Sequence, residues 1–178
     1  AIDDDRRVAQ GTVERARNLL GALAAVLYRL EPDSDDLVFV AGVGEGGDWD
    51  RRLAAGTGAA GRAVQEGHPF ATPDELADPA VAMSAEARAR IERSPYRAVA
   101  AAPLRVGERI VGALVVGDAA GRVFDAEEQG LLQAFADQAA LALDNARLYA
   151  ETRARLTRLR QLTALSHLVA SSLDLRVV

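Results

Sequence analysis

Tyr96–Asp118 reads YRAVAAAPLRVGERIVGALVVGD, and this stretch decides the fold. Two extended apolar runs flank Gly107-Glu108, a two-residue hairpin turn with glycine at the position that tolerates positive φ. The second run, Arg109–Asp118, has almost no alternation of apolar and polar residues. A strand of that kind is covered on both faces, so it is predicted to be central.

Upstream, DDRRVAQGTVERARNLLGALAAVLYRLEP starts polar and places Val8, Val13, Ala16, Leu19 and Leu20 at helical spacing. It then turns continuously apolar from Ala22 to Leu30, so a first helix gives way to a buried strand. DSDD is a turn, and LVFVAGV, Leu37–Val43, returns as the second arm of a hairpin. Gly42 to Gly61 is glycine-rich and irregular, with one turn of helix expected around Trp49 to Ala54. GAAGRAVQEG, Gly58–Gly67, is predicted to be a short helix closed by its last glycine. HPFATP is an edge strand held between prolines. Ser84 caps a helix that runs to about Arg93 and stops before Pro95.

Downstream, Asp125 and Glu128 form a capping box. Gly130 is the only glycine in the forty residues that follow, and there is no proline. A helix continuing to Ala170 spans about 65 Å at roughly 1.5 Å per residue. Leu131, Leu132, Phe135, Ala139, Ala142, Leu143 and Ala146 are expected to cover the sheet. Beyond Tyr149 no sheet remains for Leu156, Leu159, Leu162, Leu165 and Val169, which points to a second copy of the chain as their partner. Ala142, Tyr149 and Leu156 share one heptad frame, whereas Leu159, Leu162, Ser166, Val169 and Leu173 fit a frame shifted by three, a stammer. The alternative is a helix that ends near Arg160 and a second short helix after it.

Composition bounds the chemistry. At 178 residues the chain fits one domain plus an extension. It has no Cys, which removes disulfides, thiolate metal sites, redox dithiols and thioether-linked chromophores and suggests an intracellular, cytoplasmic setting. All its basic side chains are Arg, so no Schiff-base or P-loop lysine is available. The net charge of −5 gives no footprint for nucleic acid or an anionic membrane. No apolar stretch approaches the roughly 20 residues that span a bilayer, and the start AIDDDRR lacks signal-peptide order, so a soluble chain is expected. Ala1 at the start suggests an excised fragment.

In this order the pieces resemble a GAF domain, the small-molecule sensory module of bacterial signalling proteins, two-component systems among them. GTGAAGRAVQEGHPFATPDELADP, Gly56–Pro79, resembles that family's helix start, strand entry and acid-bearing loop. Tyr96–Asp118 resembles its paired central strands, and FDAEEQGLLQAFADQAALALDNARLY, Phe124–Tyr149, its closing helix. The resemblance implies an α/β fold with a central antiparallel sheet. Helices pack on one face, and loops and short helices form a pocket on the other. Residues 1–150 are then the sensory domain and 151–178 a projecting helix leading to a downstream domain. The expected role is a non-catalytic regulatory module that dimerises through its long helix, with a structural spacer module as the alternative. Trp49, Thr57, Phe70, Asp74, Tyr96 and Arg97 are the expected pocket residues, with Arg97 suited to a carboxylate or phosphate and the aromatics to a flat ring. The residues name neither a cofactor nor a particular ligand. Asp174-Leu-Arg-Val177 matches Asp5-Arg-Arg-Val8 at three of four positions, a hint of a second module downstream.

Other motifs reduce to simpler readings. GEGGDWD, Gly44–Asp50, spells most of a GGDEF cyclase signature, but Trp49 replaces one acid and the chain has neither the upstream acids nor a lysine. Gly56-Thr-Gly-Ala-Ala-Gly61 matches G-x-G-x-x-G yet follows the helical-looking WDRRLAA rather than a strand, against a dinucleotide site. What survives is a helix start whose N–H groups suit an anionic ligand group. The family's cyclic-nucleotide motif, Asn-Lys-x-x-x-Phe-x-x-x-Asp-Glu, is missing. His68 is read as a surface residue. His167 lacks the proline of a phosphoacceptor motif, and Ser166 has no triad partners. Arg147, Arg153, Arg155, Arg158 and Arg160 read as a solvated helix flank. A free methionine sulfoxide reductase on this scaffold needs thiols that the chain lacks.

Overall fold

The computed structural model describes residues 2–44 and 49–174, with side chains described for 6–44 and 49–165. Its centre is the hairpin that the sequence marks. Ala98–Val106 (β5) and Arg109–Asp118 (β6) pair antiparallel, with Val106 opposite Arg109 across Gly107-Glu108 and Gly107 at φ 61. Ala24–Leu30 (β1) pairs with the other edge of β6, so β6 is flanked on both sides. Leu37–Val43 (β2) and the two-residue Arg52–Leu53 (β3) extend the sheet one way, and Phe70–Thr72 (β4) the other. The six strands run in the order β3-β2-β1-β6-β5-β4, with every pairing antiparallel. Gly112 shows how closely β6 meets β1: a Cβ there would stand 2.1 Å from the carbonyl oxygen of Tyr28.

Alternation along the strands feeds two cores. On one face Leu114, Val116, Ala98, Ala100, Ala102 and Leu104 meet Ile2–Leu20 (α1) and Ala126–Asp174 (α4). On the other, Ala113, Val115, Val99 and Ala101 meet Gly58–Glu66 (α2). The buried apolar positions of α4 are Leu132, Ala136, Ala139 and Ala140, an i, i+4, i+7, i+8 stripe that one helix face supplies, with the polar Gln133 buried beside it. Leu131 is 40% exposed and Leu19 63% exposed, so both fall outside the buried stripes expected to include them. Each is one position off its stripe, which turns it about 100° round the helix.

The start of α4 is fixed as its capping box implies. Asp125 Oδ1 accepts from the Glu128 N–H at 2.9 Å, and Glu128 Oε2 accepts from the Asp125 N–H at 3.0 Å. Arg122 joins Glu128 to the carbonyl of Leu20, which ties the end of α1 to the start of α4. Arg105 on β5 forks onto Asp137 at 3.1 and 2.9 Å, and Gln133 donates to the carbonyl of Pro103 at 2.8 Å. The helix is continuous over 49 residues with no break near Arg160. Its residues 151–165 are all exposed, Leu156, Leu159, Leu162 and Leu165 among them.

The turn of helix expected around Trp49 to Ala54 is instead extended, as β3. Asp36 accounts for this: it takes Arg52 Nη1 at 2.8 Å and the Ala55 N–H at 3.2 Å, while Phe39 N–H donates to the Arg51 carbonyl. Those bonds tie the segment to β2 and leave no local helical ladder. The G-x-G-x-x-G stretch therefore does follow a strand, but α2 leads into an antiparallel edge strand and not a parallel crossover.

Candidate functional site

Between the second face of the sheet and its covering helices lies a cavity of about 280 Å³. Its floor comes from the strands, which supply Ala25, Val26, Val99, Val115 and Gly117. One wall is the first turn of α2, Gly58 to Ala60. Another is Ala85–Arg93 (α3), which presents Ala87, Arg90 and Ile91 at i, i+3, i+4 spacing. Ser84 Oγ caps α3 by accepting from the Ala87 N–H at 3.1 Å.

Two aromatic side chains close one end. The Trp49 and Tyr96 rings stack with centroids 5.7 Å apart and planes 6° from parallel. Glycines make room for them: a Cβ on Gly42 would stand 2.7 Å from Trp49 Nε1, and one on Gly117 would stand 3.2 Å from Tyr96 Cβ.

The polar groups of the cavity are few. Arg90 forms an ion pair with Asp50, so their charges offset each other. Glu75 is buried to nine-tenths and accepts from the Ala59 N–H through Oε1 at 2.9 Å. Burial pushes its carboxyl pKa up, against smaller downward pulls from that hydrogen bond and from the Arg90 charge. Burial likewise pushes the Tyr28 hydroxyl up, helped by the negative charge of Asp50.

Glu75 also revises the reading of α2 as an open anion site. Thr57 occupies the N-cap position, but its side chain makes no capping bond. The Gly58 N–H donates to the Ala82 carbonyl at 2.7 Å, and the Ala59 N–H is taken by Glu75. A side-chain carboxyl from within the chain thus already sits where an anionic ligand group was expected.

Of the six residues read as pocket lining, Trp49, Thr57 and Tyr96 line the cavity, and Phe70, Asp74 and Arg97 do not. Tyr96 and Arg97 are neighbours in an extended segment and point to opposite sides, so a ring in the cavity sends the guanidinium away from it. Arg97 instead forks onto Asp74, with Nε 3.0 Å from Oδ1. Its hydrogen bonds hold the Asp74 carboxyl below its usual pKa. Phe70 lies in β4, out at the sheet edge, under the guanidinium of Arg62 at 4.6 Å. Sequence reasoning missed Glu75, Arg90, Asp50 and Tyr28. The one available signal was the Ala87, Arg90, Ile91 spacing, which places an arginine on the inward face of α3.

The other motifs that the structure describes, His68 and the arginines of α4, lie away from the cavity. His68 is exposed and 3.6 Å from Glu66. Among the described residues no group of three or more His, Cys, Asp or Glu is arranged to hold a metal ion, and no helix is long and apolar enough to cross a membrane. Arg147 pairs with Asp144 and Glu151, while Arg153, Arg155, Arg158 and Arg160 are exposed along α4. Residues 45–48 of the Gly-Gly-Asp stretch, the side chains of Ser166 and His167, and residues 175–178 of the terminal repeat lie outside the described residues.

A six-stranded antiparallel sheet with two helices on one face and a pocket under short helices on the other defines an α/β module of the GAF type. The family model for the GAF domain matches residues 4–143, and the chain belongs to that family. Among solved structures it is similar to the GAF domain of a phosphoenolpyruvate-protein phosphotransferase from Coxiella burnetii, at 21% identity and TM-score 0.70 over 83% of this chain and 87% of that one. It is also similar to the GAF-B domain of DevS from Mycobacterium smegmatis, at 21% identity and TM-score 0.65 over 84% and 99%. A type II free methionine-R-sulfoxide reductase from Thermoplasma acidophilum matches at 18% identity and TM-score 0.65 over 81% and 95%. At these identities the likeness is one of fold, and the fold is seen in an enzyme as well as in GAF domains of larger proteins.

Proposed function

We propose that this chain is a non-catalytic regulatory module that senses a small molecule in the cavity beneath α2 and α3 and passes the bound state along α4. The cavity carries the reading. Pockets for small ligands begin at about 300 Å³, and the 280 Å³ here is bounded by an apolar floor, a stacked aromatic pair and a few convergent polar groups. The reductase reading is disfavoured by chemistry: the chain has no Cys to reduce a sulfoxide. In this proposal residues 1–150 are the sensing body, and residues 151–178 a connecting rod to an output domain in a cytoplasmic signalling protein.

The rod is proposed to pair with the same rod of a second copy. Leu156, Leu159, Leu162 and Leu165 are all exposed, and a single helix has nothing to bury them against. Spaced by three, they drift round the helix by about 60° a step, which suits a contact that changes register.

A thermal-shift screen across nucleotides, amino acids, aromatic acids and haem tests the sensing role, because a specific binder raises Tm with its concentration. Trp49, the single tryptophan, gives a second readout from the cavity wall. The exposed leucines also favour a second reading, a spacer module that only dimerises. Cutting the chain after Ala150 separates the two. A sensing body still binds its ligand as a monomer, whereas a spacer loses its dimer and has no binding to retain.

A further inference from the structure

We infer that the cavity takes a small zwitterion, with a protonated amine against Glu75 and a carboxylate reached by Arg93 at the rim. This rests on the sensing role proposed above and names the chemistry of what is sensed.

The first observation is Glu75 itself. Only Oε1 is used, by the Ala59 N–H; Oε2 accepts no hydrogen bond among the described residues. That second oxygen is not sealed away by protein atoms, so it opens onto the cavity that Glu75 lines. A nine-tenths-buried carboxyl with an open oxygen is a costly arrangement unless something donates to it.

The second observation is the balance of charge. Asp50 and Arg90 offset each other as an ion pair, which leaves Glu75 as the unpaired acid and Arg93 as the unpaired base of the lining. Arg93 stands on the exposed last turn of α3 and has no ion-pair partner among the described residues. The lining is therefore polarised, with an acid inside and a guanidinium at the mouth. A bare cation satisfies only the first and a bare carboxylate only the second, whereas a molecule carrying both groups satisfies the pair.

The third observation is the remaining space. Val26, Val99, Val115, Met83 and Ile91 line it, so the rest of the molecule is apolar, and 280 Å³ limits it to about the size of one amino acid.

Occupancy by an ammonium also moves a proton. Burial raises the pKa of Glu75 in the empty cavity, and an ammonium beside it lowers it again, so binding is linked to proton release over the pH range in which the empty site still holds its proton. The groups facing Glu75 are Arg90 of α3 with its partner Asp50, Tyr28 of β1 and the adjacent Asp74, itself held by Arg97.

Matched trios test this on the whole chain: L-leucine with isopentylamine and 4-methylpentanoate, L-phenylalanine with phenethylamine and 3-phenylpropanoate, and 5-aminopentanoate with butylamine and pentanoate. Calorimetry in two buffers of different ionisation enthalpy reads affinity and proton release together. Within a binding trio the zwitterion is expected to be tightest and to release a proton. Glu75→Gln is expected to weaken zwitterion and amine at least tenfold and to abolish the release. Arg93→Ala, at an exposed position, is expected to weaken the zwitterion and spare the amine. An acid that binds as tightly as its zwitterion, or a Glu75→Gln variant with unchanged zwitterion affinity, overturns the inference. If every trio is silent while a nucleotide or haem from the wider screen binds, the zwitterion is overturned and the sensing role stands. If nothing in either set binds, both fall.

Discussion

Replacing Glu75 by Ala removes the acceptor for the Ala59 N–H, a bond of 2.9 Å in the buried first turn of α2. A buried donor left without a partner costs about 1–3 kcal/mol. For a chain of this length each kcal/mol corresponds to roughly 2–4 °C in Tm, so Glu75→Ala is expected to lower Tm by about 2–12 °C. Glu75→Gln keeps an oxygen in the same place and so separates the hydrogen bond from the charge. The folded pKa of Glu75 is raised above its ordinary 4.5 by burial. Below about pH 4.5 the carboxyl is protonated in both folded and unfolded chains, and its full contribution is present. As pH rises further the unfolded chain ionises first, and stability falls until the folded carboxyl titrates as well. The Gln variant has no such loss, so its stability relative to the parent is expected to grow from pH 4 towards neutrality. Urea unfolding at intervals from pH 4 to 8, followed by circular dichroism, measures this difference with every other titrating group held common. Parallel pH profiles for parent and Gln variant, or an Ala variant as stable as the Gln variant, refute the reasoning.

Gly61→Ala is expected to cost about 1–3 kcal/mol in urea unfolding, since its Cβ would lie 2.5 Å from the backbone carbon of Gly56. Gly11→Ala, inside α1 with nothing within 4 Å, is expected to gain up to about 1 kcal/mol in the same assay. Leu114→Ala empties a fully buried position of β6, for an expected loss of about 2–5 kcal/mol. Asp144→Asn breaks the contacts with Arg147 and Arg109 that lower its pKa. Both arginines are about half exposed, so the loss is expected to stay below about 1 kcal/mol at pH 7 and to vanish as pH falls below the ordinary carboxylate range.

The architecture was legible where local chemistry and tertiary packing agree. Gly107-Glu108 sets a hairpin by backbone freedom alone, Arg109–Asp118 announces its burial by lacking alternation, and Asp125 with Glu128 starts α4 through bonds within four residues. The extended segment at Arg52 was not legible, because its conformation is dictated by Asp36, sixteen positions earlier. The site divides the same way. Trp49, Thr57 and Tyr96 were findable as rare or turn-forming residues in the right loops. Arg90 carried a signal in the helical spacing of α3, whereas the choice between Asp74 and Glu75 turns on which of two neighbours faces inward. That depends on the phase of an irregular segment, which no periodicity in a loop records. Arg97 and Asp74 satisfy each other, while Glu75 is turned towards the first turn of α2.

The strand β5 separates the cavity from α4 by the thickness of a single backbone. Val99 faces the cavity, and Ala98, Ala100 and Ala102 rest against the helix side. Alanine has no torsions with which to absorb a push, so the strand acts as a stiff diaphragm and not as a cushion. Arg105 and the Pro103 carbonyl, both on that strand, clasp Asp137 and Gln133. In the proposed sensing role, a displacement of this strand on the cavity side would reach the base of the 49-residue α4 through those contacts and grow with distance along it.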